Sequence, residues 1–286
     1  MTFYRTINVD GVDVFYRSAG PEDAPVLLLL HGFPSSSRMF EPLLDRLADR
    51  WRLIAPDYPG FGHSGPLREA TFAAIAHVIG RFASSLSLDS YTLYLQDYGG
   101  PVGLRLAMSR PSAVDGLIIQ NAVAHDSGLG PLWATRRAFW ADRAAHEAAL
   151  RENFLSPAAT RSRHLGTDPA TDRYNPDLWT DEYAFLSRPG QADIQIDLFH
   201  DYRTNVAAYP EWQRWLRARQ PRTLVLWGRH DASFQASEAE SYRAELPDAE
   251  VHVLDGGHFL LDTCAGEAAT LIDGFLAGRR VSPHRP

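Results

Sequence analysis

One eight-residue stretch constrains this chain more than any other: Leu93-Tyr94-Leu95-Gln96-Asp97-Tyr98-Gly99-Gly100. An apolar, strand-like run stops at an acidic residue and gives way to two glycines. Small residues at that point permit a sharp strand-to-helix turn, because glycine adopts strained backbone conformations and lets the next helix pack close to a sheet. A carboxylate at the apex of such a turn can attack an sp3 carbon, forming an alkyl ester that a second step hydrolyses.

The rest of the pattern supports that turn. Apolar runs predict strands at Tyr4–Val9, Val12–Ser18, Val26–His31, Arg52–Pro56, Tyr91–Gln96 and Gly116–Gln120. Helical patterns fall between them at Ser37–Arg50, Ala70–Ser87 and Pro101–Arg110. Alternation of this kind predicts an α/β fold, with a mainly parallel central sheet flanked by helices. From residue 125 to 217 the chain turns rich in Arg, Ala and Trp without a convincing apolar strand, and it is read as an inserted helical cap. Strands resume at Thr223–Trp227 and Glu250–Leu254. The expected division is therefore 1–124, first part of the core; 125–217, cap; 218–286, second part of the core.

Composition removes other classes. With 286 residues, 45% of them hydrophobic, the chain can bury a sizeable core. A net charge of −7 offers no basic face to nucleic acid. All 28 basic residues are arginines, which excludes a Schiff-base lysine and a phosphate-loop lysine. The single cysteine, Cys264, permits no intramolecular disulfide and suits a cytoplasmic protein. Met1-Thr2-Phe3-Tyr4-Arg5 does not read as a signal peptide, and the longest aliphatic run, Val26 to Leu30, is too short to span a bilayer. The 11 histidines form no His-Glu-x-x-His pair, and neither Ser64 nor Ser109 occupies a nucleophile turn. The expected partner is a small molecule of hydrophobic or mixed polarity, with no cofactor, no nucleic acid and no membrane; oligomeric state stays open.

Five segments occur in order at strand ends: His31-Gly32-Phe33-Pro34, Asp57-Tyr58-Pro59-Gly60-Phe61-Gly62-His63-Ser64, the Asp97 turn, Gly228-Arg229-His230-Asp231 and Gly256-Gly257-His258-Phe259. In these the chain resembles the α/β-hydrolase superfamily, in its aspartate-nucleophile branch of epoxide hydrolases and haloalkane dehalogenases. The resemblance implies Asp97 as nucleophile, His258 as the base that activates water, and Asp231 as the acid orienting it. It further implies an oxyanion hole from the backbone amides of Phe33 and Tyr98. The Asp57–Ser64 loop is read as structural.

The cap should distinguish the two reactions. Opening an epoxide leaves an alkoxide that needs a proton donor, whereas expelling a halide needs N–H donors. Asp201-Tyr202-Arg203-Thr204-Asn205 resembles the epoxide-hydrolase segment whose tyrosine is that donor, so Tyr202 is the candidate acid. The place of a second tyrosine falls near Phe139-Trp140, making Trp140 a candidate halide contact. Tyr98 stands where a dehalogenase has a tryptophan, and Phe33 where it often has an asparagine. Epoxide hydrolysis is the preferred expectation; a dehalogenase-like hydrolase and a non-catalytic small-molecule binder are the alternatives. Arg136, Arg137 and Arg203 could meet an anionic substrate group, but are read as solvated or helix-end residues.

Overall fold

Residues 1–278 are described by the computed structural model; residues 279–286, within the segment assigned above to the second part of the core, lie outside them. Strands β1 (Thr2–Val9) and β2 (Val12–Ala19) form an antiparallel hairpin in which Val9 faces Val12. Its two-residue turn is Asp10-Gly11, both at positive φ (49° and 85°). That geometry matches the right-handed twist of the flanking strands, which is why Asp-Gly marks such turns.

Six more strands complete an eight-stranded sheet: β3 (Val26–Leu30), β4 (Arg52–Pro56), β5 (Tyr91–Gln96), β6 (Val114–Gln120), β7 (Arg222–Gly228) and β8 (Glu250–Leu254). The spatial order is β1-β2-β4-β3-β5-β6-β7-β8, with every pair from β4 to β8 parallel. Both faces of the central strands are covered. Leu28, Leu30, Leu93, Leu95 and Ile119 pack on one side with helices α2 (Phe72–Ser85) and α3 (Gly99–Ser109). Leu27, Leu29, Tyr94 and Ile118 pack on the other with α1 (Glu41–Leu47) and α10 (Leu261–Leu276). This two-sided burial explains why these strands read as continuous apolar runs rather than alternating ones.

The helix expected over Ser37–Arg50 is split. A 3-10 turn, Ser37–Phe40, leads into α1, where Pro42 occupies the first turn and so removes only an amide that has no partner in the helix. Helix α2 begins one residue after Thr71, whose Oγ1 accepts the Ala74 amide at 3.1 Å.

Five helices lie between β6 and β7: α4 (Trp133–Ala141), α5 (Arg143–Leu155), α6 (Pro157–Leu165), α7 (Asp177–Leu186) and the 29-residue α8 (Gln191–Arg219). The short α9 (Glu238–Ser241) follows β7. No helix among the described residues is long and apolar enough to cross a membrane, and no group of three or more His, Cys, Asp or Glu among them is arranged to hold a metal ion.

One buried ionic link fastens the inserted helices to the core. His164, 1% exposed on α6, lies between Glu182 of α7 (2.9 Å) and Asp262 of α10 (2.7 Å). Burial opposes its charge, but the two carboxylates outweigh that and raise its pKa to about 10. A histidine whose folded pKa exceeds its unfolded value of 6.5 contributes its full stabilisation below that value and loses it as pH rises. A His164→Gln variant is therefore expected to lose about 3–5 kcal/mol of stability at pH 6. The gap from wild type should narrow between pH 6.5 and about 10, as measured by urea denaturation. A gap independent of pH would contradict the charged assignment.

Candidate active site

The parallel strands deliver their loops to one edge of the sheet, the usual place for a site in this architecture. Asp97 follows β5 with φ of 47°, in the left-handed region where a non-glycine residue is strained. Two glycines make the turn sterically possible. A Cβ on Gly99 would meet the Leu30 carbonyl oxygen at 2.2 Å, and one on Gly32 would meet the Asp97 Cβ at 2.4 Å. Neither contact is tolerable, so both positions require glycine for close approach.

The two oxygens of Asp97 have different surroundings. Oδ1 accepts the Phe33 amide at 2.8 Å, and the Tyr98 amide also favours the charged carboxylate. Oδ2 faces the His258 Nε2 at 3.7 Å. Burial pushes the Asp97 pKa up, against the pull of His258, the two amides and Arg136.

His258, 2% exposed in the loop after β8, donates from Nδ1 to Asp231 Oδ2 at 2.8 Å. That bond leaves Nε2 as the nitrogen facing Asp97, where the Gln96 side-chain amide also lies at 3.2 Å. Burial disfavours the imidazolium, but Asp231 and then Asp97 reverse the balance, and the pKa ends above its ordinary value.

Asp231 is fixed from several sides. Its Oδ1 accepts the amides of Ser233 (2.6 Å) and Phe234 (3.1 Å), and its Oδ2 accepts Asn121 Nδ2 (2.8 Å) as well as His258. Asn121, after β6, has φ of 44° and takes the Gly228 amide on its own Oδ1 at 3.0 Å. It holds β6, β7 and Asp231 in register.

The His31 side chain and the Asp57 loop brace this edge through buried hydrogen bonds. Burial lowers the His31 pKa to about 4, so the ring is neutral; its Nδ1 donates to the Gly32 carbonyl at 3.0 Å and its Nε2 accepts the Tyr58 amide at 3.1 Å. Asp57, fully buried, accepts the amides of Ser37 (2.7 Å) and His63 (2.8 Å).

Over Asp97 the inserted helices close a small cavity of about 10 Å³, room for about one water-sized molecule. Tyr98, Tyr202 of α8 and His258 line it. Tyr202 is 1% exposed and its phenol pKa is raised, chiefly by burial and then by Asp97, so it is a neutral donor. The Tyr98 hydroxyl is buried without a hydrogen-bond partner among the described residues.

The structure thus brings Asp97, His258, Asp231, Phe33, Tyr98 and Tyr202 together, and leaves Trp140 out. Its indole N–H donates to the Phe199 carbonyl at 2.7 Å and the residue does not line the cavity, correcting the expectation of a leaving-group contact. Trp133 lines the cavity instead, with its own N–H given to the Ser233 carbonyl at 3.0 Å. The reason is local: each ring is packed among aromatics with its N–H beside a backbone carbonyl, and a buried donor takes the partner within reach.

Sequence reasoning did not place Gln96, Asn121 or Arg163 of α6 at the site, and it read Arg136 of α4 as solvated; the two arginines line the cavity. For Arg136 a signal existed: Trp133 lies three residues before it and Trp140 four after, placing the cation on an aromatic helix face. For Arg163 the sequence offers none.

Comparison with known proteins agrees with this architecture. An uncharacterized hydrolase of Saccharomyces cerevisiae is 36% identical over 267 residues, covering 91% of this chain and 92% of its own. Haloalkane dehalogenase 2 of Mycobacterium tuberculosis is 29% identical over 276 residues, covering 88% of both chains. The solved structure of the epoxide hydrolase CorEH superposes with a TM-score of 0.80 at 17% identity, over 97% of this chain and 99% of that one. The model of the alpha/beta hydrolase fold family matches residues 25–263, and the chain belongs to that family.

Proposed function

We propose that the protein is a cofactor-independent epoxide hydrolase working through an ester on Asp97. The observation that carries this reading is the asymmetry of that carboxylate: Oδ1 rests on the Phe33 amide at 2.8 Å, while Oδ2 faces the base and is free to attack. In the first step Oδ2 bonds to an epoxide carbon. The carbon–oxygen bond breaks, its electron pair stays on oxygen, and the alkoxide takes a proton from Tyr202 or Tyr98. An alkoxide is a stronger base than a phenolate, so this transfer runs downhill even from a buried phenol.

The ester removes the negative charge from Asp97, and with it one of the influences holding the His258 pKa up. The imidazole is then more readily neutral, and so available to accept a proton, at the moment water must be deprotonated. Hydroxide then adds to the ester carbon, and the negative charge develops on Oδ1 against the amides of Phe33 and Tyr98. A preorganised donor of this kind contributes about 3–4 kcal/mol. Collapse releases the diol and restores the carboxylate; the proton taken by His258 makes good the one lost by the tyrosine.

A dehalogenase-like hydrolase is the second reading, favoured by the relatives named haloalkane dehalogenase. It would share the ester and its hydrolysis. Epoxide opening is preferred because the indole N–H groups nearest the cavity already serve backbone carbonyls, whereas the Tyr98 phenol is unpartnered. Product analysis with small terminal epoxides and chain-matched 1-bromoalkanes separates them. Diol formation well ahead of bromide release is the expected result; bromide release alone would overturn the preference.

A further inference from the structure

We propose that the cavity selects substrates carrying a carboxylate, held by Arg136 and Arg163 beside the electrophilic carbon. This inference rests on the reading of Asp97 as nucleophile and names the substrate class of the same site. Arg136 is 6% exposed, lines the cavity, and has its Nη1 buried without a hydrogen-bond partner. Arg163 also lines the cavity; its Nη1 is likewise unpartnered, and its Nη2 reaches only the Phe154 carbonyl at 3.3 Å. Neither guanidinium forms an ion pair among the described residues. Guanidinium nitrogens buried in a protein are ordinarily paired, and two unpaired ones, from the buried Arg136 and the half-buried Arg163, form a built anion site in a single small space.

Their setting points to a flat anion. The Arg136 guanidinium lies 4.3 Å from the ring centroids of both Trp133 and Phe154, and that of Arg163 lies 4.6 Å from the Phe33 ring. Stacking occupies the faces of the fork and leaves its in-plane N–H groups for a ligand, the geometry that matches a carboxylate bidentately. Burial and mutual repulsion already lower the Arg163 pKa to about 10, so the pair is under electrostatic load.

The reaction itself accentuates the need. Before attack, Asp97 opposes both cations. When Oδ2 bonds to carbon, the electron pair of the broken bond leaves with the alkoxide, which is then protonated, and Asp97 becomes a neutral ester. The two guanidiniums then face no carboxylate in the cavity unless the substrate supplies one. A substrate carboxylate restores the balance in the ester state and fixes which carbon lies against Oδ2.

The test compares oxirane-2-carboxylate with its isosteric primary amide. Wild type should prefer the acid by about 30-fold or more in kcat/KM, most of it in KM, the scale expected for a buried charge pair. Arg136→Gln and Arg163→Gln should each collapse that ratio toward one, and Arg136→Lys should restore part of it. A ratio near one in wild type, or one unchanged in both Gln variants, would overturn the proposal. Should neither compound turn over, calorimetric titration with propanoate decides: saturable binding lost in Arg136→Gln supports the site, and no binding to wild type overturns it. Failure of the nucleophile reading is seen separately, as absence of any Asp97 ester from the neutral amide.

Discussion

Replacement of Asp97 by Asn is expected to leave the fold intact and to lower turnover by about 10⁴-fold or more, the scale seen when a covalent nucleophile is removed. Asparagine suits the test better than alanine. Position 97 sits at φ of 47°, and Asn tolerates that region where Ala pays a steric penalty. Its carboxamide oxygen can still accept the Phe33 amide that Oδ1 now takes at 2.8 Å. What Asn lacks is a charged oxygen opposite His258. Thermal unfolding near that of wild type, with steady-state turnover lost, is the predicted pair of results. Wild-type turnover in the variant would remove Asp97 from the mechanism.

The second large effect concerns His258. A His258→Gln variant should perform the first half-reaction and stall, because attack by Oδ2 needs no base whereas ester hydrolysis does. The expected time course is a burst in which about one equivalent of epoxide is consumed per enzyme with no diol released, followed by diol formation at a rate reduced about 10³-fold or more. Glutamine retains a donor toward Asp231, which would otherwise lose one of the four N–H groups converging on it. A burst-free, uniform fall in rate would mean that His258 acts before the ester forms.

Much of this site was legible because it is built at strand ends. Asp97, Asp231 and His258 each follow a strand pattern of five to seven residues that became β5, β7 or β8, and a polar residue just beyond such a strand faces the edge where the loops converge. The Asp10-Gly11 hairpin was legible for a similar local reason: its dihedrals belong to those residue types. Arg136 and Arg163 were not. Their burial comes from rings on other elements, Phe154 on α5 and Phe199 on α8 around Arg136, and Phe33 after β3 under Arg163. Those contacts span up to 130 positions, between residues 33 and 163, and an amphipathic helix pattern carries no record of them. The reading of cap arginines as solvated fails for Arg136 on that ground. Trp140 misled for the complementary reason, since a side chain's type gives no sign of whether its N–H is already taken by a neighbouring carbonyl.

Asn121 shows a subtler limit. Its uncharged amide, set after β6, carries no sign in the sequence of a place beside Asp231. The structure gives it the task of orienting the acid that sits one strand over, at 2.8 Å from Asp231. A positive φ at an asparagine after a strand is compatible with the residue type, but only the pairing of β6 with β7 brings it to Asp231.

The most direct test is the intact mass of the His258→Gln protein after incubation with small epoxides, neutral and carboxylated, followed by peptide mapping. A mass increase equal to one whole epoxide, located on the peptide carrying Asp97, is the predicted result. An unchanged mass under conditions where the wild type forms diol, or an adduct on any other residue, would contradict the ester mechanism.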